Sequence, residues 1–346
     1  MSTTVAAYAT ASAAGPFVRT DIDRRAVGPH DVSIAIAYAG ICHSDIHTAR
    51  EEWGGTHFPL VPGHEIAGIV DAIGSEVTGF SVGDRVGVGC LVWSCGECRW
   101  CEAGEEQFCA KRVGTYASQD VDGTWTAGGY SQQVVVNDRF VLHIPDALAL
   151  DVAAPLLCAG ITTYSPLRHW KAGPGTRLGV IGLGGLGHMA VQFGHALGAE
   201  VTLFSRTLDK EDDARALGAD HVVATADPSA FKPLRDSFDL IINTVSAGLP
   251  FDSYLRTLDV DGTLVNVGLP PEPTSLRIGS LIGNRRSMAG SPIGGIRETQ
   301  EMLDFAAEHG FGARIELIEA AEIDAAYDRV VAGNVRYRYV IDTATI

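Results

Sequence analysis

Four cysteines fall within 15 residues, Cys95-Gly96-Glu97-Cys98-Arg99-Trp100-Cys101 and then Cys109, in a C-x2-C-x2-C-x7-C run. Few features constrain a fold more tightly. Thiolates this dense close a tetrahedral zinc site using all four positions. Disulfide frameworks belong to short secreted chains, and this chain has 346 residues. A closed four-thiolate site cannot take substrate. The lobe around residues 90–112 therefore reads as structural, and the chemistry has to lie elsewhere.

A chain of 346 residues predicts two domains with ample core. The net charge of −16, from 26 basic and 42 acidic residues, argues against nucleic-acid partners and against attraction to anionic membrane. No run of 18 apolar residues suggests a transmembrane helix. The start, Met1-Ser2-Thr3-Thr4-Val5-Ala6-Ala7-Tyr8, has neither the basic n-region nor the apolar core of a signal peptide. A cytoplasmic protein is expected, with its cysteines as thiols or metal ligands. Beyond the lobe, Cys42, Cys90 and Cys158 remain.

The first 150 residues read as β-rich, with strands at Val32–Tyr38, Ala67–Ile73, Asp84–Val88 and Tyr130–Val136. Near Asp151 the pattern changes. Strands at Leu178–Gly182, Val201–Phe204, His221–Ala224, Phe238–Asn243 and Thr263–Val267 alternate with helices at His188–Leu197, Lys210–Leu217 and Phe251–Leu258. Alternation of this kind implies an α/β, doubly wound parallel sheet. After residue 292 come a helix at Glu298–His309, a strand near Arg314–Leu317, a helix at Ile323–Ala332 and a strand at Tyr339–Asp342. These elements are expected to return to the first domain.

Gly182-Leu183-Gly184-Gly185-Leu186-Gly187 follows an apolar strand and opens a helix. In that context the glycines allow a tight turn, close approach to a pyrophosphate and helix–strand packing, and the helix start offers free N–H groups. The next strand ends Phe204-Ser205-Arg206, with Lys210 a turn on. An NAD site would place Asp or Glu there to accept from the ribose hydroxyls. A hydroxyl and two cations suit a 2′-phosphate instead. The expected cofactor is NADP(H).

Three further segments carry metal ligands: Gly40-Ile41-Cys42-His43-Ser44-Asp45-Ile46-His47, Pro62-Gly63-His64-Glu65 and Leu157-Cys158-Ala159-Gly160. Cys42, His64 and Cys158 make two thiolates and one imidazole, a catalytic zinc pattern with one position open. Zinc there would be a Lewis acid toward a carbonyl or a bound alcohol. Two zinc ions per chain are expected. Cys90 reads as a small packing residue, and His43 as a group near the cofactor phosphates.

With these motifs, GGYSQ, LLCAGITTYSPL and the closing VRYRYVID, the chain resembles, over essentially its whole length, the zinc-dependent alcohol dehydrogenases of the medium-chain dehydrogenase/reductase superfamily. The nearest branch holds cinnamyl alcohol dehydrogenases and bacterial NADPH-dependent aldehyde reductases. The resemblance implies a GroES-like catalytic domain (1–153), a Rossmann domain (154–292) and a return to the catalytic domain (293–346). It gives Glu65 entry into the metal sphere during ligand exchange, Asp45 the orientation of the ligand histidine, and Ser44 and His47 a proton relay. Thr162 and the 182–187 loop become cofactor contacts, and the 2′-phosphate falls to Ser205, Arg206 and Lys210. Trp53, Leu91, Trp93, Pro292 and Ile293 are candidate pocket residues. A small aldehyde or alcohol is the implied partner, and a homodimer the implied assembly.

The expected reaction is interconversion of aldehydes and primary alcohols, mainly aldehyde reduction over a broad range of aromatic and aliphatic substrates. Two rivals are a zinc-free quinone or enone reductase on the same fold and a non-catalytic NADP-binding protein. The complete ligand set opposes the first. The relay pair opposes the second.

Overall fold

The computed structural model describes residues 2–270 and 272–346. It divides into two compact units, Met1–Ile161 with Gly294–Ile346, and Thr162–Ile293.

The first unit is built on a seven-stranded sheet. Its order is Ile315–Glu319, Arg338–Asp342, Asp31–Gly40, Ile66–Ile73, Arg85–Val88 and Leu142–His143, with Gln133–Asn137 also paired along Asp31–Gly40. Only the first of these pairs is parallel. The C-terminal segment thus returns to the N-terminal sheet, with Val340 opposite Gly40 and Asp342 opposite Tyr38. A hairpin of Thr3–Thr10 and Phe17–Arg24 lies beside it. Ile41, Ile46, Leu60, Tyr130, Tyr327 and Ile341 share one core with Phe17, whose ring meets Tyr327 edge-on at 5.2 Å. Burying each such side chain contributes about 1.5–3 kcal/mol. That core backs the short helix His43–Ala49, through Ile46 and Ala49.

The second unit is a six-stranded sheet, parallel throughout. Its order is His221–Ala224, Glu200–Ser205, Arg177–Ile181, Phe238–Asn243, Leu258–Asn266 and Ser287–Gly290. Numbered along the chain this is 3-2-1-4-5-6, the Rossmann order, with the glycine turn directly after the first strand. Arg177–Ile181 and Phe238–Asn243 are buried almost continuously, as strands covered on both faces must be. Phe204, Phe238, Tyr254 and Leu264 fill the core on one side, with Phe204 and Tyr254 meeting at 89°.

Some elements depart from the sequence pattern. Tyr130 is fully buried ahead of the strand Gln133–Asn137 instead of opening it. Leu258 begins a strand and does not end a helix. Periodicity gave no signal for His43–Ala49, Ala159–His169 or the edge strand Ser287–Gly290. Among the described residues no helix is long and apolar enough to cross a membrane.

Candidate active site

The four lobe cysteines converge. Cys98 precedes the helix Arg99–Ala103, which turns Cys101 inward. The sulfur separations are 3.6 Å for Cys98–Cys101, 3.9 Å for Cys95–Cys101 and 3.5 Å for Cys95–Cys109. A disulfide needs about 2.05 Å. Two thiolates on one tetrahedral zinc, each about 2.3 Å from it, sit about 3.8 Å apart. The cluster has the dimensions of the second. Backbone N–H groups, Glu97 first, hold the Cys95 thiol down at about 7, so it yields its proton to a metal near neutral pH.

A second group forms where one strand of the same sheet ends and its paired neighbour begins. Gly40 ends one strand, and Cys42 caps the helix that follows. His64 and Glu65 immediately precede the strand Ile66–Ile73. Cys158 follows the short helical turn Ala154–Leu157. One ligand atom from each of Cys42, His64, Glu65 and Cys158 lies within 4.8 Å of all the others, and all four residues are buried. The Cys42 and Cys158 sulfurs are 3.9 Å apart, again the tetrahedral edge. A hydrogen bond from Cys158 holds the Cys42 thiol well below its ordinary value, with the His64 imidazole also favouring the thiolate.

Asp45 organises this group. It is fully buried and accepts from the Cys42 N–H at 2.9 Å, the Gly63 N–H at 3.1 Å and His64 Nδ1 at 3.0 Å. Holding Nδ1 leaves His64 Nε2 as the available ligand nitrogen, the usual carboxylate–histidine arrangement behind a metal. The other His64 face stacks on the Tyr116 ring at 5.7 Å.

Glu65 is the unusual member. It is fully buried and paired with Arg338, itself only 5% exposed. Burial pushes the Glu65 carboxyl up to about 7, against the pull of Arg338. Glu65 Oε1 takes the Arg338 bond, whereas Glu65 Oε2 has no hydrogen-bond partner. A buried carboxylate oxygen left over beside two thiols and an imidazole is what a cation would satisfy. The donor set fits zinc.

Ser44 places its hydroxyl 3.8 Å from the Cys42 sulfur. His47 lies one turn further along the same helix. Its Nδ1 pairs with Glu52, and its ring faces Trp53 at 5.0 Å. Among the described residues no hydrogen bond joins Ser44 to His47. His43 is exposed, its ring 6.0 Å from that of His47. Leu91 is buried, and Trp93 lines a cavity of about 370 Å³ with Arg24, Thr115 and Trp125. Pro292 and Ile293 close the second unit.

In the second unit Gly182 adopts φ +90°, which only glycine takes readily. A Cβ on Gly184 would meet nothing within 4 Å, so the middle of the loop faces open space. That open backbone cradle at a helix start fits a dinucleotide pyrophosphate. Lys210 donates to the Leu183 carbonyl at 3.2 Å, which brings its cation onto the loop. Ser205 ends its strand half-buried, Arg206 follows exposed, and Thr162 is buried at the unit's start.

Spacing did not reveal Arg338, Tyr116 or Glu52. Arg338 lies 273 residues from Glu65. A basic residue at a strand start ordinarily reads as exposed.

Residues 28–146 match the alcohol dehydrogenase GroES-like domain, and residues 185–308 the zinc-binding dehydrogenase domain. The chain is 59% identical over 345 residues to NADP-dependent alcohol dehydrogenase C 1 of Mycolicibacterium smegmatis, covering 99% of both chains. It is 52% identical to the aldehyde reductase YahK of Escherichia coli, covering 97% of both. Among solved structures it is similar to the Helicobacter pylori CAD complexed with NADP(H), with a TM-score of 0.93, 45% identity and 99% of each chain covered.

Proposed function

The chain belongs to the zinc-dependent alcohol dehydrogenases of the medium-chain dehydrogenase/reductase superfamily, and from that premise we propose that it interconverts aldehydes and primary alcohols with NADP(H), acting mainly as a broad-specificity aldehyde reductase. One observation carries the reading. Two thiols and an imidazole converge within 4.8 Å in a buried pocket, with a serine hydroxyl 3.8 Å from one of the sulfurs.

Cys42, His64 and Cys158 would hold one zinc, and the lobe cysteines a second. When bound, zinc supplies Lewis acidity to a carbonyl oxygen and NADPH supplies the hydride. Asp45 fixes the His64 ring and the Cys42 backbone together, so the ligands are set before substrate arrives. Arg338 holds the Glu65 carboxylate, leaving Oε2 as a reserve donor beside the thiols. Ser44 delivers the proton that the developing alcohol oxygen needs. His47, one turn along the same helix and steadied by Glu52, is the group that would return a proton to Ser44. The first rival lacks a use for the ligand set. The second lacks a use for Ser44 and His47.

NADP(H) preference is supported by Ser205, Arg206 and Lys210 in place of an acid, and by the NADP-dependent relative. The reductive direction is supported by the E. coli relative's activity. Seven free thiols agree with a cytoplasmic site, and a homodimer is the family expectation. The test is a kinetic screen of aromatic and aliphatic aldehydes against both cofactors, with Arg206→Ala alongside. Losing one charge-assisted hydrogen bond costs about 1.5–3 kcal/mol. Arg206→Ala should therefore raise KM for NADPH about ten- to 150-fold and leave NADH use nearly unchanged. Equal kcat/KM for the two cofactors in the unmutated protein would refute NADP(H) preference.

A further inference from the structure

We propose that Thr244 is a positioning residue for dinucleotide binding, its hydroxyl locking the glycine turn in the shape that receives a pyrophosphate. The proposal rests on the nucleotide-dependent reading above and adds a residue outside the glycine motif.

Thr244 follows the strand Phe238–Asn243, next to the strand that leads into the turn. It donates twice to the Ile181 carbonyl, from its N–H at 3.1 Å and from its hydroxyl at 2.7 Å, and the hydroxyl also lies 3.5 Å from the Gly182 carbonyl. From the opposite side Gly182 N–H donates to Phe204 O at 2.9 Å. The turn is therefore anchored to both neighbouring strands.

The Thr244 hydroxyl also sits between the first and last glycines of the motif. A Cβ on Gly182 would fall 3.2 Å from it, and one on Gly187 3.1 Å from it. The two glycines leave the space that this hydroxyl borders, while Gly184 between them faces outward.

Thr244 is itself held. Asn243, fully buried, donates to Asn266 Oδ1 at 2.9 Å and accepts from Val245 N–H at 3.1 Å. The Val267 and Gly268 N–H groups donate to the Asn243 carbonyl at 3.0 and 3.1 Å. Asn266 donates onward to Ala289 O at 3.3 Å. The paired asparagines thus tie the Thr244 loop to the next two strands. A hydroxyl on a loop this constrained can hold the turn before the cofactor arrives, and preorganisation of that kind appears as affinity.

The test is titration of the zinc-loaded protein with NADPH and with NADH, followed by nicotinamide fluorescence, with thermal melts of every variant. Thr244→Val keeps the shape and removes the hydroxyl. It should raise Kd about 5- to 30-fold for both cofactors by the same factor, since the pyrophosphate is common to both. It should leave kcat at saturating NADPH within about threefold, and the melt cooperative. Thr244→Ser should bring Kd back to within about threefold of the unmutated protein. If Thr244→Val does not fold, Thr244→Ala carries the same expectation. An unchanged Kd, a shift confined to NADPH, or a shift that serine fails to rescue overturns the proposal. If the unmutated protein binds neither cofactor, the nucleotide-dependent reading fails instead.

Discussion

Replacing Asp45 by Asn tests the arrangement behind the metal centre. Asp45 Oδ1 accepts from His64 Nδ1 and the Gly63 N–H, and Oδ2 accepts from the Cys42 N–H. The Asn oxygen can take the two-bond position. Its NH2 group then faces the Cys42 N–H, donor against donor. Two charge-assisted bonds become neutral, losing about 1 kcal/mol each, and one buried N–H is orphaned at about 1–3 kcal/mol. The sum is about 3–5 kcal/mol, divided between folding of the first unit and seating of the ligands. His64 keeps its tautomer, because an amide oxygen still accepts from Nδ1. Zinc affinity at the Cys42–His64–Cys158 centre should nonetheless fall about 10–100-fold, the usual result of disturbing such a partner. Chelator competition reads the affinity, and thermal melts with and without metal read the folding share. The lobe cysteines form a separate cluster and should keep their zinc in the same sample. Zinc affinity within twofold of the unmutated protein, together with an unchanged metal-free melting temperature, would show that Asp45 neither caps the helix nor orients the histidine.

Elemental analysis should find two zinc ions per chain. Cys98→Ser should release one and lower the melting temperature, because binding energy at a closed site is folding energy. Cys158→Ser should abolish turnover with much less effect on folding. Finding at most one zinc in fully loaded protein would refute the pair. A second expectation concerns acid. Burial acts to raise the Asp31 carboxyl, but the bonds from Arg25 and from the Gly28 N–H at 2.7 Å outweigh it and hold it below its ordinary 3.8. A depressed carboxyl contributes stability that is present above that ordinary value and is lost as pH falls through the native one. Asp31→Asn should therefore lower the melting temperature at pH 7, and the difference from the unmutated protein should close below about pH 4. A difference constant from pH 7 to pH 3 would show that the pair contributes through packing alone.

What the sequence disclosed, and what it hid, divides along a physical line. A zinc donor set needs particular atoms, so Cys42, His64, Cys158 and the lobe cysteines stand out as candidates even with two of them 116 residues apart. Parallel strands buried on both faces write themselves as apolar runs, so the Rossmann sheet was legible except for its edge strand Ser287–Gly290, half-exposed and rich in small residues. The helix His43–Ala49 was hidden because it is only seven residues long and five of them are polar, so no apolar periodicity marks it. Side chains that hold other groups in place across the fold leave no spacing to read. Thr244 looks like any turn residue after a strand, and Arg338 like any surface cation. Gly40 shows why such positions need coordinates. Its backbone is outside the left-handed region, so no turn demands glycine there. A Cβ would instead fall 2.0 Å from Glu65 Oε2. The glycine makes room for a carboxylate that must stay buried, near the thiols and within reach of Arg338. A side chain at position 40 would displace that carboxylate. The first residue of the ligand-bearing segment is therefore dictated by a group 25 positions further on, a dependence that neither residue reveals alone.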